Sequence, residues 1–96
     1  MGKPVETTLE PGTVVDRYGD PTGSYVAPDG TPFSKRGLPS FYETQKPYYP
    51  YEAVQPVIVR GGAAATAFGG GGGVQFQFGA PIQDLARNGI LKALSR

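Results

Sequence analysis

The clearest alternation of apolar and polar positions in the chain runs from Val74 to Phe78, where Val74, Phe76 and Phe78 interleave with Gln75 and Gln77. Period 2 is the signature of a half-buried strand, so the apolar side is expected to face a core. Gln75 is then the first polar side chain to point outward. Five consecutive glycines, Gly69 to Gly73, lead into this strand. Without Cβ atoms such a run adopts positive φ and lets another molecule come close to the backbone.

Elsewhere the pattern comes in short pieces. Residues 4 to 12 read as extended, with Glu10-Pro11-Gly12 as a turn. Thr13-Val14-Val15 is a β-branched strand, Asp16 to Gly23 breaks the chain, and Ser24 to Ala27 returns as the second arm of a hairpin. Pro28 to Pro32 is a tight turn that delivers Phe33 to Arg36 into at most one helical turn before Leu38-Pro39. Ser40 to Tyr51, with five aromatic residues and prolines at 47 and 50, reads as an extended aromatic cover rather than a helix. Glu52 to Arg60 is predicted as a strand that Pro56 places at a sheet edge or start, with Gly61-Gly62 ending it. Ala63 to Phe68 is a weaker strand candidate. Ile82, Leu85 and Ala86 form one apolar face of a helix over Ile82–Arg87, opened by Pro81 and stopped by Asn88-Gly89. Ile90 to Leu94 fits either a last strand or a helical turn. No internal repeat is visible. The expected fold is α+β: a small β-rich mixed domain with twisted antiparallel sheets, long loops and one short C-terminal helix. Residues 9–96 form the domain, and 1–8 an extended lead-in or a remnant of cloning.

Composition narrows the chemistry. The chain has 96 residues, room for one core. Its 15 glycines and 10 prolines approach the range of low-complexity disorder. Eleven per cent aromatics and a net charge of +1 argue instead for a loop-rich folded domain. There is no cysteine and no histidine, which removes Ser-His-Asp and Cys-His catalysis and most zinc sites. No metal is implied. The balanced charge gives no case for duplex nucleic acid. No apolar run approaches the length of a membrane span, and residues 1–10 lack the apolar region of a signal peptide.

Two arginines stand in restricted backbone: Arg17 before a glycine turn and Arg36 between prolines. The planar guanidinium suits phosphate oxygens, and two such contacts are worth about 3–6 kcal/mol, so a diphosphate ligand fits the pair. The competing reading is that Arg17 pairs with Asp16 or Asp20 while Arg36 lies over the aromatics. The glycine run lacks the Gly-Lys-Ser/Thr ending of a phosphate-binding P-loop and precedes a strand. No carboxylate pair suggests an O-glycosidase. The aromatic cluster either roofs the core or stacks bases.

The ordered set Val15-Asp16-Arg17-Tyr18-Gly19, Thr22 to Pro28, Gly30-Thr31-Pro32-Phe33, Arg36-Gly37-Leu38-Pro39 and Ala67 to Phe76 closely resembles the tuberculosis necrotizing toxin domain family. The resemblance implies a compact β-rich domain that hydrolyses the nicotinamide–ribose bond of NAD or NADP, taken as substrate with no other cofactor. It implies the C-terminal part of a larger secreted or delivered toxin, acting in the target-cell cytoplasm and neutralised by an immunity protein, with no nucleic-acid or membrane partner. Carried over by position, Gln75 and Arg36 match catalytic residues, Arg17 and Tyr25 match substrate-binding ones, and Phe33 is a weaker match beside Arg36. Some relatives carry a histidine in the segment corresponding to Pro47–Tyr51; here Tyr48 is its candidate replacement. The three groups Arg17, Arg36 and Gln75 are expected to converge on one cleft sized for a dinucleotide. A non-catalytic module that binds protein or single-stranded nucleic acid through its aromatic surface, and an ADP-ribosyltransferase, are the alternatives.

Overall fold

The computed structural model describes residues 5–64 and 70–95. Seven strands form one antiparallel sheet in the order β1-β5-β6-β3-β2-β4-β7: β1 (Val5–Leu9), β2 (Val14–Tyr18), β3 (Tyr25–Pro28), β4 (Tyr48–Ala53), β5 (Val57–Ala63), β6 (Val74–Gln77) and β7 (Leu91–Ala93). A 3-10 turn (Phe33–Lys35) and two short helices, α1 (Tyr42–Gln45) and α2 (Ile82–Arg87), complete the fold. No helix among the described residues is long and apolar enough to cross a membrane.

Pairing sorts side chains onto two faces, because residues directly opposite in register share a side. Val15 opposes Tyr51 and Pro28, Val26 opposes Phe76, Phe76 opposes Gly61, and Ala53 opposes Leu91. This face is the core: Val15, Val26, Tyr51, Ala53, Val59 and Leu91 are buried on it, and α2 inserts Ile82 among them with Leu85 and Ala86 beside it. The helix is fixed at both ends. Ile82 and Gln83 donate their backbone N–H groups to the carbonyls of Gly23 and Pro21, at 3.0 and 2.9 Å, so its first donors are satisfied by the β2–β3 loop. At the other end Gly89 takes a φ of 76°, and Ile90 and Gly89 donate back to Leu85 and Ala86 in a Schellman arrangement.

Several expectations are corrected. Asp16, Arg17 and Tyr18 belong to β2 rather than to a broken loop. The aromatic segment after Ser40 is not uniformly extended: it makes a one-turn helix at Tyr42–Gln45 and then β4. Pro50 is tolerated inside β4 because its carbonyl, and hence its hydrogen-less nitrogen, faces the side where β7 gives out and only Leu94 donates to it. Strand β5 does not stop at Gly61-Gly62 but runs on to Ala63. The Phe76 ring lies over Gly61, where a Cβ would meet it at 3.3 Å, so the glycine makes room for a neighbouring side chain. Pro56 stands just before β5, at a strand start, and Val54-Gln55 turns the chain from β4 into it. Residues 5–9, expected to be extended, form the edge strand of the sheet. Val74, expected to face the core, is 52% exposed at the end of β6. Leu91–Ala93 is a strand. The strand candidate over 63–68 falls largely outside the described residues.

Candidate functional site

The face opposite the core carries Asp16, Tyr18 and Tyr48 on β2 and β4, Tyr25 on β3 and Gln75 on β6, by the same register. The segment from Pro28 to Leu38 folds over it. Gly30 at φ 85° closes the turn, and Thr31 donates its hydroxyl to the Pro28 carbonyl at 2.7 Å. The Thr31 carbonyl then accepts from Arg36 Nη2 at 2.9 Å and Nε at 3.3 Å. The other edge of the same guanidinium meets Asp16, with Nη1 2.7 Å from Oδ1 and both side chains buried. Tyr48 donates its hydroxyl to Asp16 Oδ2 at 2.6 Å, and Arg36 Cζ stands 5.0 Å over the Tyr18 ring. A buried ion pair offsets its desolvation only with such additional partners. The contact is ionic rather than aligned: among the described residues, Oδ1 has no hydrogen-bond donor in line with it.

Arg17 is held differently. Its Nε donates to the Asp20 carbonyl at 2.8 Å and Nη1 to the Tyr25 carbonyl at 2.9 Å, so it ties the hairpin loop across backbone groups and bonds Asp20 through the carbonyl rather than the carboxylate. A Cβ on Gly23 would lie 2.2 Å from Nη2; the glycine is what gives the guanidinium its place. Withdrawal from water lowers the Arg17 pKa, and Tyr42, Asp20 and Tyr51 act in the opposite sense. The group still carries its charge, as arginine does throughout proteins.

The glycine run serves the chain's own backbone. Gly71 donates to the Ser34 carbonyl at 2.8 Å and Gly73 to that of Lys35 at 2.9 Å. A Cβ at Gly70 would lie 2.1 Å from Ser34 O and one at Gly73 2.8 Å from Lys35. Close approach was expected from these glycines, and the partner in this structure is the 3-10 turn just before Arg36. The strap thereby couples the turn that carries Arg36 to the strand that carries Gln75.

Arg17, Tyr25, Arg36 and Gln75, drawn from four separate stretches of chain, line one pocket together with Asp16 and Leu38. The pocket holds about 50 Å³, room for one or two waters at about 30 Å³ each rather than the dinucleotide-sized cleft expected. Phe33 does not line it; its ring stands edge-on to Tyr18 at 5.2 Å. Tyr48 does not line it either, so its hydroxyl meets Asp16 behind the wall instead of standing in the pocket where a histidine replacement would act. Tyr18 packs against both Phe33 and Tyr48 on the pocket face, whereas of the aromatic segment Tyr51 is buried in the core and Tyr49 packs against it. A wider groove of about 600 Å³ lies along Ser24, Arg60, Gln77 and Pro81 and contains none of the expected site residues. Among the described residues no group of three His, Cys, Asp or Glu is placed to hold a metal ion. Asp16 was missed from sequence: it stands beside Arg17, and nothing in the local pattern points to a partner twenty residues on.

The same fold occurs in three solved complexes. Tuberculosis necrotizing toxin, in complex with its immunity factor IFT, superposes with a TM-score of 0.70 at 21% identity, over 91% of this chain and 54% of that one. Tse6 in complex with Tsi6 gives 0.65 at 20% identity, over 98% and 73%. Rhs1-CT in complex with its cognate immunity protein RhsI1 gives 0.66 at 19%, over 97% and 78%. The chain thus spans about half the length of the first of these. No curated protein sequence matches it significantly. The family model for tuberculosis necrotizing toxin matches residues 8–94, nearly the whole chain, and the protein belongs to that family.

Proposed function

We propose that this domain is an NAD(P)+ glycohydrolase toxin that cleaves the bond between nicotinamide and ribose, depletes the target cell of dinucleotide and is held in check by an immunity protein. The observation that carries the reading is the meeting of Arg17, Tyr25, Arg36 and Gln75 at one pocket. The chemistry suits a chain without histidine. When the C1′–N1 bond breaks, its electron pair neutralises the pyridinium, so nicotinamide leaves uncharged and needs no general acid. Water forms the new C1′–O bond and its proton goes to solvent. What remains for the protein is to hold the substrate and stabilise an oxocarbenium-like transition state through placed dipoles. Gln75 supplies an amide to orient the ribose hydroxyls or the attacking water. Arg17 supplies a guanidinium for the diphosphate side, and Arg36, matched to a catalytic residue, stands with Gln75 at the reacting end. The small volume of the pocket means that its walls must part to admit the nucleotide.

Incubating the purified protein with NAD and with NADP, and separating the products, tests this. Free nicotinamide and ADP-ribose in equal amounts are expected. Intact dinucleotide after prolonged incubation with folded protein rejects the reading, and ADP-ribose attached to protein would assign a transferase instead.

A further inference from the structure

Asp16 is 1% exposed, with its carboxylate against Arg36 on one oxygen and Tyr48 on the other. A carboxylate this deep is not what stability alone selects, since apolar side chains of similar volume replace buried ion pairs without loss in many proteins. What the pair contributes is direction. The Thr31 carbonyl holds Nε and Nη2, Asp16 holds Nη1, and the Tyr18 ring lies beneath the plane. A guanidinium held at both edges and on one face is confined to one place, and the groups that hold it line or back the pocket wall. The charge matters as well. Nicotinamide is cationic in the substrate and C1′ becomes cationic in the transition state, so an uncompensated arginine beside them would repel both. With Asp16 neutralising Arg36, Arg17 is left as the net positive charge among these three.

We infer that Asp16 is a positioning residue for the glycohydrolase reaction: it fixes the plane of Arg36 and cancels its charge, and is itself oriented by Tyr48. This rests on the NAD reading above, and the test separates the two. Nicotinamide release from NAD is measured for the full chain carrying Asp16→Asn, Arg36→Gln, or both, at a temperature where each is folded by circular dichroism. Asp16→Asn keeps the shape, and is expected to lower kcat by about 10-fold or more with KM changed by less than about 3-fold, the pattern of a lost transition-state interaction. On the Arg36→Gln background it is expected to cost nothing further, because no guanidinium remains to be held. Asp16→Asn at wild-type turnover, an equal loss on both backgrounds, or a loss confined to KM overturns the inference while leaving the NAD reading intact. Arg36→Gln with undiminished turnover overturns the role of Arg36 itself, and the inference with it. If Asp16→Asn does not fold, Tyr48→Phe decides in its place: about 3-fold lower kcat on the wild-type background and no effect on Arg36→Gln supports the inference, and any other pattern overturns it.

Discussion

Val15 and Asp16 are neighbours in β2 and are buried to the same degree, yet they answer to different constraints. Val15 faces Ile82, Leu91 and the other aliphatic side chains of the core, where what counts is volume. Asp16 faces the pocket side, where what counts is that each charge and each donor finds its partner. One face is held by area removed from water, which is non-directional. The other is held by a few contacts that each require a particular partner. A sheet built this way keeps its fold through many apolar substitutions while its pocket depends on a handful of groups.

The contrast is sharpest where a single partner is removed. Asp16→Ala leaves the Arg36 charge buried without its counter-ion and is expected to cost about 3–5 kcal/mol in urea unfolding. Replacing both, as Asp16→Leu with Arg36→Met, is expected to restore most of that loss, and a double variant as unstable as the single one breaks the comparison. On the core face Ile82→Ala removes a fully buried side chain and is expected to cost about 2–5 kcal/mol, read as a fall of about 4–8 °C in Tm per kcal/mol. Unlike the pocket-face change, it should leave kcat unaltered below the transition. Gly70→Ala sets a Cβ against Ser34 O and is expected to cost about 1–3 kcal/mol by overpacking; because it pushes the turn before Arg36, its turnover should fall as well. The smallest effect concerns Tyr51, whose pKa burial raises, with Tyr49 adding to it and Arg17 opposing. The unfolded chain loses this proton first, so the contribution of Tyr51 is whole below about pH 10, the unfolded value. It is lost as pH climbs through the folded value. Tyr51→Phe should flatten the alkaline end of the Tm profile, and an unchanged profile would show that Tyr51 is not the group responsible.

Elements whose signals are local are legible in the sequence. Alternation gives β6, Pro81 with Asn88-Gly89 gives both ends of α2, and the β2–β3 hairpin follows from a β-branched run and a returning segment around a glycine-containing turn. What is not legible depends on a partner far along the chain. Gly61-Gly62 reads as a strand end until Phe76 is known to lie across Gly61. Pro50 fits inside β4 because the pairing with β7 runs no further than Tyr51. Arg17, Arg36 and Gln75 stand out by their places in the chain and Tyr25 only through the family resemblance, and the structure brings those four to one pocket while leaving Phe33 outside its lining. Asp16 could not be named, because its role is set by Arg36 and Tyr48, both reached only through folding.

If the pocket lined by these four residues is where NAD is cut, Gln75→Ala must disable it. Gln75 makes no ion pair and lies outside the core cluster, so the variant should unfold at the wild-type temperature. Its nicotinamide release from NAD is expected to fall by about 100-fold or more, the scale of losing one placed polar group at a reacting centre. Turnover near that of the wild type, with folding intact, would contradict it.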